Sequence, residues 1–492
     1  MTSDLSDPAL WSLSHAATMI AGRKISSIEL TQHCLDRIMG VGKVLNAFIA
    51  VDADQALNQA ALADEALSQR GPNSGIHGVP LAHKDMFYRK DRTSSGSSKI
   101  RRDFAPAYTS TLLKRLDTAG AIEIGRLMMQ EFCLGPSGKD LHYGQCRNPW
   151  SYDHVPGGSS GGSGSAVAGR LAFGSLGSDT NGSIRIPASA NGIVGLKPTK
   201  GRVSRHGAMP LSMSMDSMGP LARSARDIAR IMNVIAGEDP NDPTSSKMPT
   251  IDYEKDLADP LQGRKVGLLL ESVASDLDKE VYTQIELAAA IFKKLGCEIS
   301  QIAFADRGSC DDLGNVLVKS EAAANHHRWL ISRPSDYARQ ARGRLEAGLM
   351  LPATAYWQAL SLRKYLLRQF MQDVMADFDV LIMPVIPTVL PTIDDFEGGD
   401  VEQALRMTIS VTKFNRPIGY LGLPSLCVPA GTARGLPTSF QIVGRPFAEA
   451  VVLNFGHLFL AETQFNERVP ELVDLASRAT STSESAPQGL PA

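Results

Sequence analysis

The sequence predicts an α/β protein with a mostly parallel β-sheet, from two observations. Short apolar runs alternate with longer segments of helical periodicity, and a glycine follows several of the helical segments. The clearest unit predicts a strand over residues 266–270, a helix over 281–295 that ends at Gly296, and a second strand over 297–304. Such alternation is typical of parallel strands joined by right-handed helical crossovers.

The composition excludes several classes of protein. The 492 residues carry a net charge of −2, from 50 Lys and Arg against 52 Asp and Glu. This balance argues against a nucleic-acid scaffold or a polybasic membrane-binding protein. No apolar run approaches the ~18 residues that cross a bilayer, and residues 1–11 lack the apolar core of a signal peptide. We therefore expect neither nucleic acid nor a membrane as a partner.

Cysteine and histidine spacing predicts neither a disulfide framework nor a metal site. The sequence contains no Cys-x-x-Cys pair, and His83 and the His326–His327 pair have no ligand-like spacing. We expect reduced thiols in the cytoplasm, with no metal and no cofactor. The six cysteines are Cys34, Cys133, Cys146, Cys297, Cys310 and Cys427.

The elements are predicted in chain order from periodicity and cap residues. Residues 1–71 are expected to be helical, and residues 75–245 are expected to hold the catalytic core. The N-terminal helices are predicted over residues 10–20, from Ser26 or Ser27 to Gly40, and over 54–67. Further elements are predicted as a strand at 79–83, a helix at 111–116, and strands at 121–124, 380–385, 425–428 and 440–443.

Residues 311–378 are predicted to form a helical cover over one edge of the sheet. Aromatic residues are spread through this segment, which suggests either core packing or a substrate-facing wall. Residues 477–492 are rich in Ser, Thr and Pro, and they are predicted to be a disordered tail.

The most unusual segment is the run Pro-Gly-Gly-Ser-Ser-Gly-Gly-Ser-Gly-Ser at residues 156–165. A flexible linker is disfavoured because an apolar segment follows immediately. A phosphate-binding loop is disfavoured because neither Gly-Lys-[Ser/Thr] nor Gly-x-Gly-x-x-Gly is present. Gly-Gly-Ser-Ser-Gly also fits the Gly-x-Ser-x-Gly motif around Ser159, which would require a histidine and an acid elsewhere.

A second motif follows at residues 177–187, Gly-Ser-Asp-Thr-Asn-Gly-Ser-Ile-Arg-Ile-Pro. A turn here would point successive backbone N–H groups toward one place, which is how an oxyanion hole is built. A serine that ends such a turn is well placed as a nucleophile, and it needs a base. Lys84 ends a buried apolar run, and burial favours the neutral amine that can accept a proton, with Ser159 as a relay.

Taken together, these motifs closely resemble those of the amidase signature family. Their joint occurrence in this order is specific, whereas each alone is weak evidence. The resemblance covers residues 7–470 and is weakest in the helical cover. Its motifs are Gly78-Val79-Pro80-Leu81 before Lys84, His142-Tyr143-Gly144, Asn148-Pro149, Gly157 to Gly162, Gly182-Ser183-Ile184-Arg185, Gly195 to Thr199, Gly422-Leu423-Pro424 and Gly435-Leu436-Pro437.

The resemblance implies a single α/β domain, residues 1–476, around a mixed, mostly parallel sheet covered by helices on both faces. It also implies a Ser–cis-Ser–Lys triad. Ser183 would be the nucleophile, Ser159 the bridging serine with a cis peptide bond to Gly158, and Lys84 the base and acid. The implied oxyanion hole consists of Thr180, Asn181, Gly182 and Ser183.

Residues beside the implied triad are expected to support it. Asp179 and Arg185 are expected to pair and brace the turn, and Ser160 is expected to be a neighbouring hydrogen bonder or a simple loop serine. Two departures from the family concern the substrate class. Asn181 replaces a usual glycine, and Ala190-Asn191 replaces a frequent Phe-Cys.

The resulting hypothesis is a stand-alone amidase that hydrolyses an amide, carbamate, urea-like or ester bond through acyl-Ser183. One alternative is a glutaminase-type subunit of a multiprotein amidotransferase. Another is a Ser-His-Asp hydrolase that uses Ser159, and a non-catalytic binding protein on this fold is a fourth.

The substrate is expected to be a small-molecule amide or carbamate with a bulky aryl group. This expectation depends on aromatic residues near the predicted funnel to Ser183. A homodimer is a family-level expectation. The candidate substrate-binding residues are Gly158, Tyr356, Trp357 and Tyr420.

Overall fold

An eleven-stranded sheet organises the protein in the computed structural model, which describes residues 7–140, 142–397 and 401–473. The sheet order is β1-β3-β2-β6-β8-β7-β12-β13-β11-β9-β10. A separate short hairpin is formed by β4 and β5. The strands are β1 (Phe48–Val51), β2 (Pro80–Lys84), β3 (Ile122–Leu127), β4 (Lys139–Asp140), β5 (Gly144–Gln145), β6 (Gly174–Asp179), β7 (Val194–Lys197), β8 (Ser217–Ala222), β9 (Lys265–Leu268), β10 (Glu298–Gln301), β11 (Val380–Pro384), β12 (Ser425–Ala433) and β13 (Leu436–Val443).

The α/β class with a mixed sheet and flanking helices is confirmed, but the expectation of mostly parallel strands is wrong at the centre of the sheet. Strands β3, β2 and β6 run parallel on one side, and β11, β9 and β10 run parallel on the other. Between them, the pairs from β6–β8 to β13–β11 are antiparallel. The alternation of strands and helices that predicted parallel strands occurs only in the outer parts of the sheet. At the centre, a two-residue turn joins β12 directly to β13, and such a short turn can join only antiparallel strands.

Helices cover the sheet and begin where capping residues occur. The second helix shows this best, because Ser26 and Glu29 form a reciprocal capping box. The α-helices are α1 (Leu13–Ala21), α2 (Ser27–Met39), α3 (Val41–Leu45), α4 (Ala53–Arg70), α5 (Thr111–Thr118), α6 (Gly161–Ala168), α7 (Arg185–Ala190), α8 (Ala225–Ile235), α9 (Lys279–Lys294), α10 (Arg307–Ser332), α11 (Arg339–Leu349), α12 (Ala353–Gln369), α13 (Ile393–Glu397), α14 (Val401–Thr412), α15 (Arg416–Leu421) and α16 (Glu449–Thr463).

The N-terminal segment is not wholly helical as expected. Its four-residue strand β1 pairs antiparallel with β3 at the edge of the sheet. Phe-Ile-Ala-Val is too short a run to be distinguished from helix by periodicity. The proposed tail, residues 477–492, lies outside the described residues, and the boundaries of the single domain stay a prediction.

The helical cover expected over residues 311–378 corresponds to α10, α11 and α12, followed by a π-turn at Phe370–Val374. Helix α10 packs against α11, α12 and α15. In the described ranges, no helix combines the length and apolarity that a membrane crossing requires.

The strand order brings the chemistry-bearing residues to one edge. Strands β2 and β6 are parallel neighbours, so their carboxyl ends meet at the same edge of the sheet. Strand β2 ends at Lys84 and β6 ends at Asp179, immediately before the predicted turn. Helix α6 packs on both strands, and the chain entering it carries Ser159. Open α/β sheets commonly bind ligands at such an edge.

Candidate active site

Lys84, Ser159 and Ser178 form a buried hydrogen-bonded cluster at this edge. The Nζ atom of Lys84 lies 2.7 Å from Oγ of Ser159 and 2.8 Å from Oγ of Ser178. Lys84 is 1% exposed, and Ser159 is fully buried. A lysine held on two buried hydroxyl groups is suited to exchange a proton with either of them.

The pKa of Lys84 lies below its ordinary value. Burial is the main cause, because it disfavours the ammonium form. The influence of Cys133, followed by that of Asp216 and Asp179, acts in the opposite direction and is smaller than the effect of burial. A larger fraction of Lys84 is therefore neutral, as a general base requires.

The loop before α6 holds Ser159 against the neighbouring backbone. The Gly158–Ser159 peptide bond is cis. The carbonyl oxygen of Ser159 accepts a hydrogen bond of 3.0 Å from the Gln130 amide. A Cβ atom on Gly158 would lie 2.6 Å from the carbonyl oxygen of Gly135, so only glycine fits there.

Asp179 organises the turn that carries Ser183. Its carboxylate accepts hydrogen bonds from the backbone amides of Gly182 at 2.8 Å and Ile184 at 3.3 Å. It also forms a two-point ion pair with Arg185, with both N–O distances 2.9 Å. Both side chains are fully buried. Although burial alone would raise the pKa of Asp179, the Arg185 guanidinium and these hydrogen bonds hold it below the ordinary value.

Two backbone features of the turn determine which amides could form the oxyanion hole. The left-handed backbone occurs at Gly182, with φ of +111°, and not at Asn181. A Cβ atom on Gly182 would lie 2.7 Å from Cβ of Asn415. Because the Gly182 amide already donates to Asp179, it is not free for an oxyanion. In the described part of the chain, no hydrogen bond is made by the backbone amides of Asn181 and Ser183.

Ser183 is only partly buried, and it faces a cavity. Its carbonyl oxygen accepts a hydrogen bond of 3.3 Å from the Ser160 amide, which places the turn beside the Ser159 loop. The hydroxyl of Ser160 donates to the carbonyl oxygen of Ser178 at 3.4 Å. Among the described residues, no hydrogen bond joins the side chains of Ser159 and Ser183, and none joins Ser159 to a histidine.

Three residues at the site were not singled out from the sequence. Ser178 holds Lys84, and Sγ of Cys133 lies 3.8 Å from the Ser178 hydroxyl. Asp216 accepts a hydrogen bond of 2.6 Å from the hydroxyl of Thr180. The parallel pairing of β2 with β6 brings Ser178 close to Lys84. The sequence pattern around either residue does not show which strands pair, so this contact could not be predicted from it.

The cavity beside Ser183 has a volume of about 180 Å³. It is lined by the turn, the loop after Phe132, and helices α10, α11 and α14. Asn181 lines this cavity, and its Oδ1 atom is buried without a hydrogen-bond partner in the described chain. The lining residues are Cys133, Leu134, Gly135, Pro136, Gly158, Thr180, Asn181, Ser183, Ile186, Leu211, Asn315, Val318, Lys319, Ala322, Arg344, Leu405, Thr408, Ile409, Thr412 and Arg416.

Of the four candidate substrate-binding residues, only Gly158 lines this cavity. Trp357 is 70% exposed on the outer face of the cover. Tyr420 is fully buried, and its hydroxyl donates to the carbonyl oxygen of Ala359. The hydroxyl of Tyr356 donates to Glu321. The three aromatic residues therefore do not line the cavity. Tyr356 and Trp357 lie on helix α12 of the cover, and periodicity did not show which of its faces points inward, whereas Tyr420 lies on α15.

The described residues contain no group of three or more His, Cys, Asp or Glu side chains that could hold a metal ion. All six cysteines lie in the described ranges, buried and outside any disulfide. The site brings together a buried amine and several hydroxyl groups, which are suited to proton transfer and nucleophilic attack.

Comparison with known proteins gives consistent family assignments. The Amidase family profile matches residues 29–453. The A subunit of the glutamyl-tRNA(Gln) amidotransferase of Nitrosococcus oceani is 36% identical over 482 residues, covering 93% of this chain and 99% of that protein. The corresponding protein from a Marinomonas species is 36% identical over 484 residues, covering 94% and 98%.

A solved structure extends the comparison to the fold. The 6-aminohexanoate cyclic dimer hydrolase, solved in complex with its substrate, superposes with a TM-score of 0.86 at 25% identity. The match covers 95% of this chain and 100% of that chain.

These relatives correct the expectation about partners. The sequence excluded nucleic acid and indicated only a small-molecule substrate and a homodimer as partners, and the relatives contradict this expectation. The curated relatives are named as one subunit of an amidotransferase for glutamyl-tRNA(Gln), a name that implies protein partners and a tRNA-linked substrate for those proteins. The net charge of one chain does not exclude a nucleic-acid partner, because other subunits of an assembly can supply the contacts with tRNA.

Proposed function

Because this chain belongs to the Amidase family, we propose that it cleaves an amide C–N bond through an acyl-enzyme on Ser183. The observation that carries the proposal is the buried Lys84, whose Nζ lies 2.7 Å from the Ser159 hydroxyl beside the cavity that Ser183 lines. A lysine with a lowered pKa and a serine relay supply the base that a serine nucleophile requires.

The proposed cycle moves one proton out and back. Neutral Lys84 accepts a proton from Ser159 while Ser159 accepts the proton of Ser183, and Oγ of Ser183 bonds to the amide carbon. The ammonium of Lys84 then returns the proton through Ser159 to the leaving nitrogen as the C–N bond breaks. Ammonia or an amine departs, and water hydrolyses the ester by the same route to give a carboxylic acid.

The oxyanion of the tetrahedral intermediate would be held by backbone amides of the turn. The amides of Asn181 and Ser183 are the best candidates, because the Gly182 amide donates to Asp179. The amide of Thr180 stays a candidate from sequence. Asp179 and Arg185 would hold the turn without taking part in the reaction.

We propose that the reaction feeds a multi-subunit amidotransferase, with this chain as its amide-cleaving subunit. The relatives that support this role are 36% identical along nearly their whole length. In such a role the released ammonia would pass to a partner, and a glutaminase-type activity would depend on that partner.

A stand-alone hydrolase is the second candidate role. It is supported by the likeness to the 6-aminohexanoate cyclic dimer hydrolase, and by a cavity whose described lining includes no carboxylate to pair with the ammonium of glutamine. Carbamate, urea-like and ester bonds are compatible with the same acyl-enzyme chemistry. A cavity of about 180 Å³ favours a smaller group than the aryl substituent expected from the sequence.

The chemistry is tested with a fluorophosphonate probe and mass spectrometry of the labelled peptide. We expect labelling on Ser183, and we expect Lys84→Ala to slow it about 10²-fold or more. Lys90→Ala, on an exposed lysine six residues later, is the matched control and should label normally. Labelling on Ser159 that is independent of Lys84 would instead indicate a Ser-His-Asp type of hydrolase.

The role is tested by affinity purification from the native cell. Two co-purifying proteins, together with glutamine hydrolysis that rises in the complex, would support the role in an amidotransferase. A chain that purifies alone and hydrolyses an amide at full rate would support the stand-alone enzyme.

A further inference from the structure

The cavity beside Ser183 is lined by cationic side chains. Lys319 on α10, Arg344 on α11 and Arg416 on α15 all reach its wall. The described lining contains no aspartate or glutamate. Ligand sites usually contain few polar groups, each matched to the ligand, so this imbalance indicates the charge of the ligand.

Arg344 is not neutralised by an acid in the described structure. Its two hydrogen bonds go to neutral acceptors, the carbonyl oxygen of Leu134 at 2.7 Å and the hydroxyl of Thr408 at 2.6 Å. Burial is the only cause found for its lowered pKa, and no nearby carboxylate raises it. A partly buried guanidinium with neutral partners retains its capacity to bind a carboxylate through two points.

Arg344 also lies close to the reacting loop. Its Nη1 atom would be 3.0 Å from a Cβ atom built on Gly135, and the carbonyl oxygen of Gly135 packs against Gly158. Gly158 directly precedes Ser159. The guanidinium therefore lies in the cavity that Ser183 lines, near the loop that carries Ser159.

The other two cations differ in how they are compensated. Arg416 forms a two-point ion pair with Asp311. Lys319 has no ion pair among the described residues. The nearby Glu321 accepts hydrogen bonds from Ser212 and Tyr356 and does not line the cavity. Two positive charges, on Lys319 and Arg344, are thus left for a ligand.

We propose that the substrate is a small amide with a carboxylate at the end remote from the scissile bond and no ammonium group, such as a monoamide of a four- or five-carbon dicarboxylic acid. Arg344 and Lys319 bind the carboxylate. The cavity volume of about 180 Å³ limits the length of the substrate's carbon chain. The inference rests on the proposed amide cleavage at Ser183. It disfavours free glutamine, whose ammonium would lie among cations, and it therefore separates the two roles proposed above.

Binding to the full-length Ser183→Ala protein tests this inference without turnover. Calorimetry compares glutaramate with glutaramide, in which a neutral carboxamide replaces the carboxylate, and with L-glutamine, which adds an ammonium group. We expect glutaramate to bind at least tenfold more tightly than either of the others. Equal or tighter binding of glutaramide or glutamine, or no binding of glutaramate, would overturn the inference.

Variants on the helices over the cavity then assign the anion site. In the same background, Arg344→Met should weaken glutaramate binding at least tenfold. Arg342→Met is the matched control, because Arg342 is exposed, pairs with Glu346 and does not line the cavity. Lys319→Met provides a second variant that leaves the bonds of Arg344 intact, and it should weaken glutaramate binding as well. An unchanged affinity in both cavity variants would overturn the assignment.

These outcomes are distinguishable from failure of the proposed reaction. Absence of probe labelling on Ser183 would overturn the acyl-enzyme mechanism. The ligand preference is measured separately, in a protein that cannot form that intermediate.

Discussion

Replacement of Asp179 by asparagine tests whether the Asp179–Arg185 ion pair stabilises the turn that carries Ser183. The substitution keeps the shape of the side chain and removes its charge, while Arg185 stays in place. Both groups are fully buried, and Arg185 also donates to Gln441 and to the carbonyl oxygen of Asn415. Asp179→Asn therefore leaves a guanidinium that is desolvated and held only by neutral acceptors.

The expected loss of stability follows from this burial. Removing one partner of a buried ion pair typically costs about 3–5 kcal/mol, because the remaining charge is uncompensated. Asp179 also accepts the backbone amides of Gly182 and Ile184, and an amide NH₂ in place of one carboxylate oxygen cannot accept. The turn that positions Ser183 should therefore shift, and a displacement of about 1 Å would lower kcat/KM about 10²-fold.

Urea unfolding of the parent and Asp179→Asn proteins measures the difference in their free energies of unfolding. Single-turnover labelling with the fluorophosphonate probe measures the reactivity of Ser183. Glu346→Gln is the control, because it breaks an exposed ion pair with Arg342 and should cost at most about 0.5 kcal/mol. The argument would be refuted if Asp179→Asn unfolded within about 1 kcal/mol of the parent protein.

The pH dependence of stability gives an independent check. Because the pKa of Asp179 is lowered by folding, its stabilisation is fully present above the ordinary value of about 3.9 and is lost as the pH falls through the folded-state pKa. The Asp179→Asn protein should therefore lose less stability than the parent on acidification through this range. An equal loss in both proteins would contradict the assigned pKa direction.

Three further predictions concern single side chains. Ser178→Ala removes a hydroxyl that stabilises the ammonium of Lys84, so the pKa of Lys84 should fall further and the acidic limb of the kcat/KM profile should move to lower pH. Gly182→Ala should reduce labelling of Ser183 at least tenfold, because the backbone there has φ of +111° and the new methyl would contact Asn415. Trp357→Ala should leave KM within about twofold, because the ring is exposed outside the cavity.

Each of these predictions has an outcome that contradicts it. A shift of the acidic limb to higher pH in Ser178→Ala would mean that the hydroxyl favours the neutral lysine. Normal labelling in Gly182→Ala would show that the turn adapts to a side chain. A large rise in KM for Trp357→Ala would place the aromatic residues of the cover at the substrate after all.

Local patterns in the sequence predicted much of the fold. The helices at 27–39 and 279–294 and the strands at 80–84 and 380–384 have clear caps or apolar runs, and each lies within a few residues of its predicted place. Strand β6 was missed because Gly-Ser-Leu-Gly-Ser-Asp has neither the branched residues nor the alternation of a typical strand. The small side chains of β6 allow helix α6 to pack closely against the strand.

The residues that line the cavity were harder to predict from the sequence than the residues of the proposed triad. Lys84, Ser159 and Ser183 belong to contiguous motifs, so their types and order carry information. Arg344 and Lys319 lie on helices where basic residues ordinarily face solvent, and no local pattern separates the two cases. Only the packing of α10 and α11 over the turn shows which of their charged residues reach the cavity.

The relatives and the cavity together restrict the function more than either does alone. Identity of 36% along the chain argues for a role in an amidotransferase, yet identity of this level allows a pocket to be rebuilt around a different amide. A glutamine site needs an acceptor for the ammonium as well as a cation for the carboxylate. The described lining supplies the cations Arg344 and Lys319, which have no acidic partner, and it contains no aspartate or glutamate. The charge of the lining therefore disfavours glutamine as the preferred substrate, because the ammonium group of glutamine would lie among cations without an acidic partner.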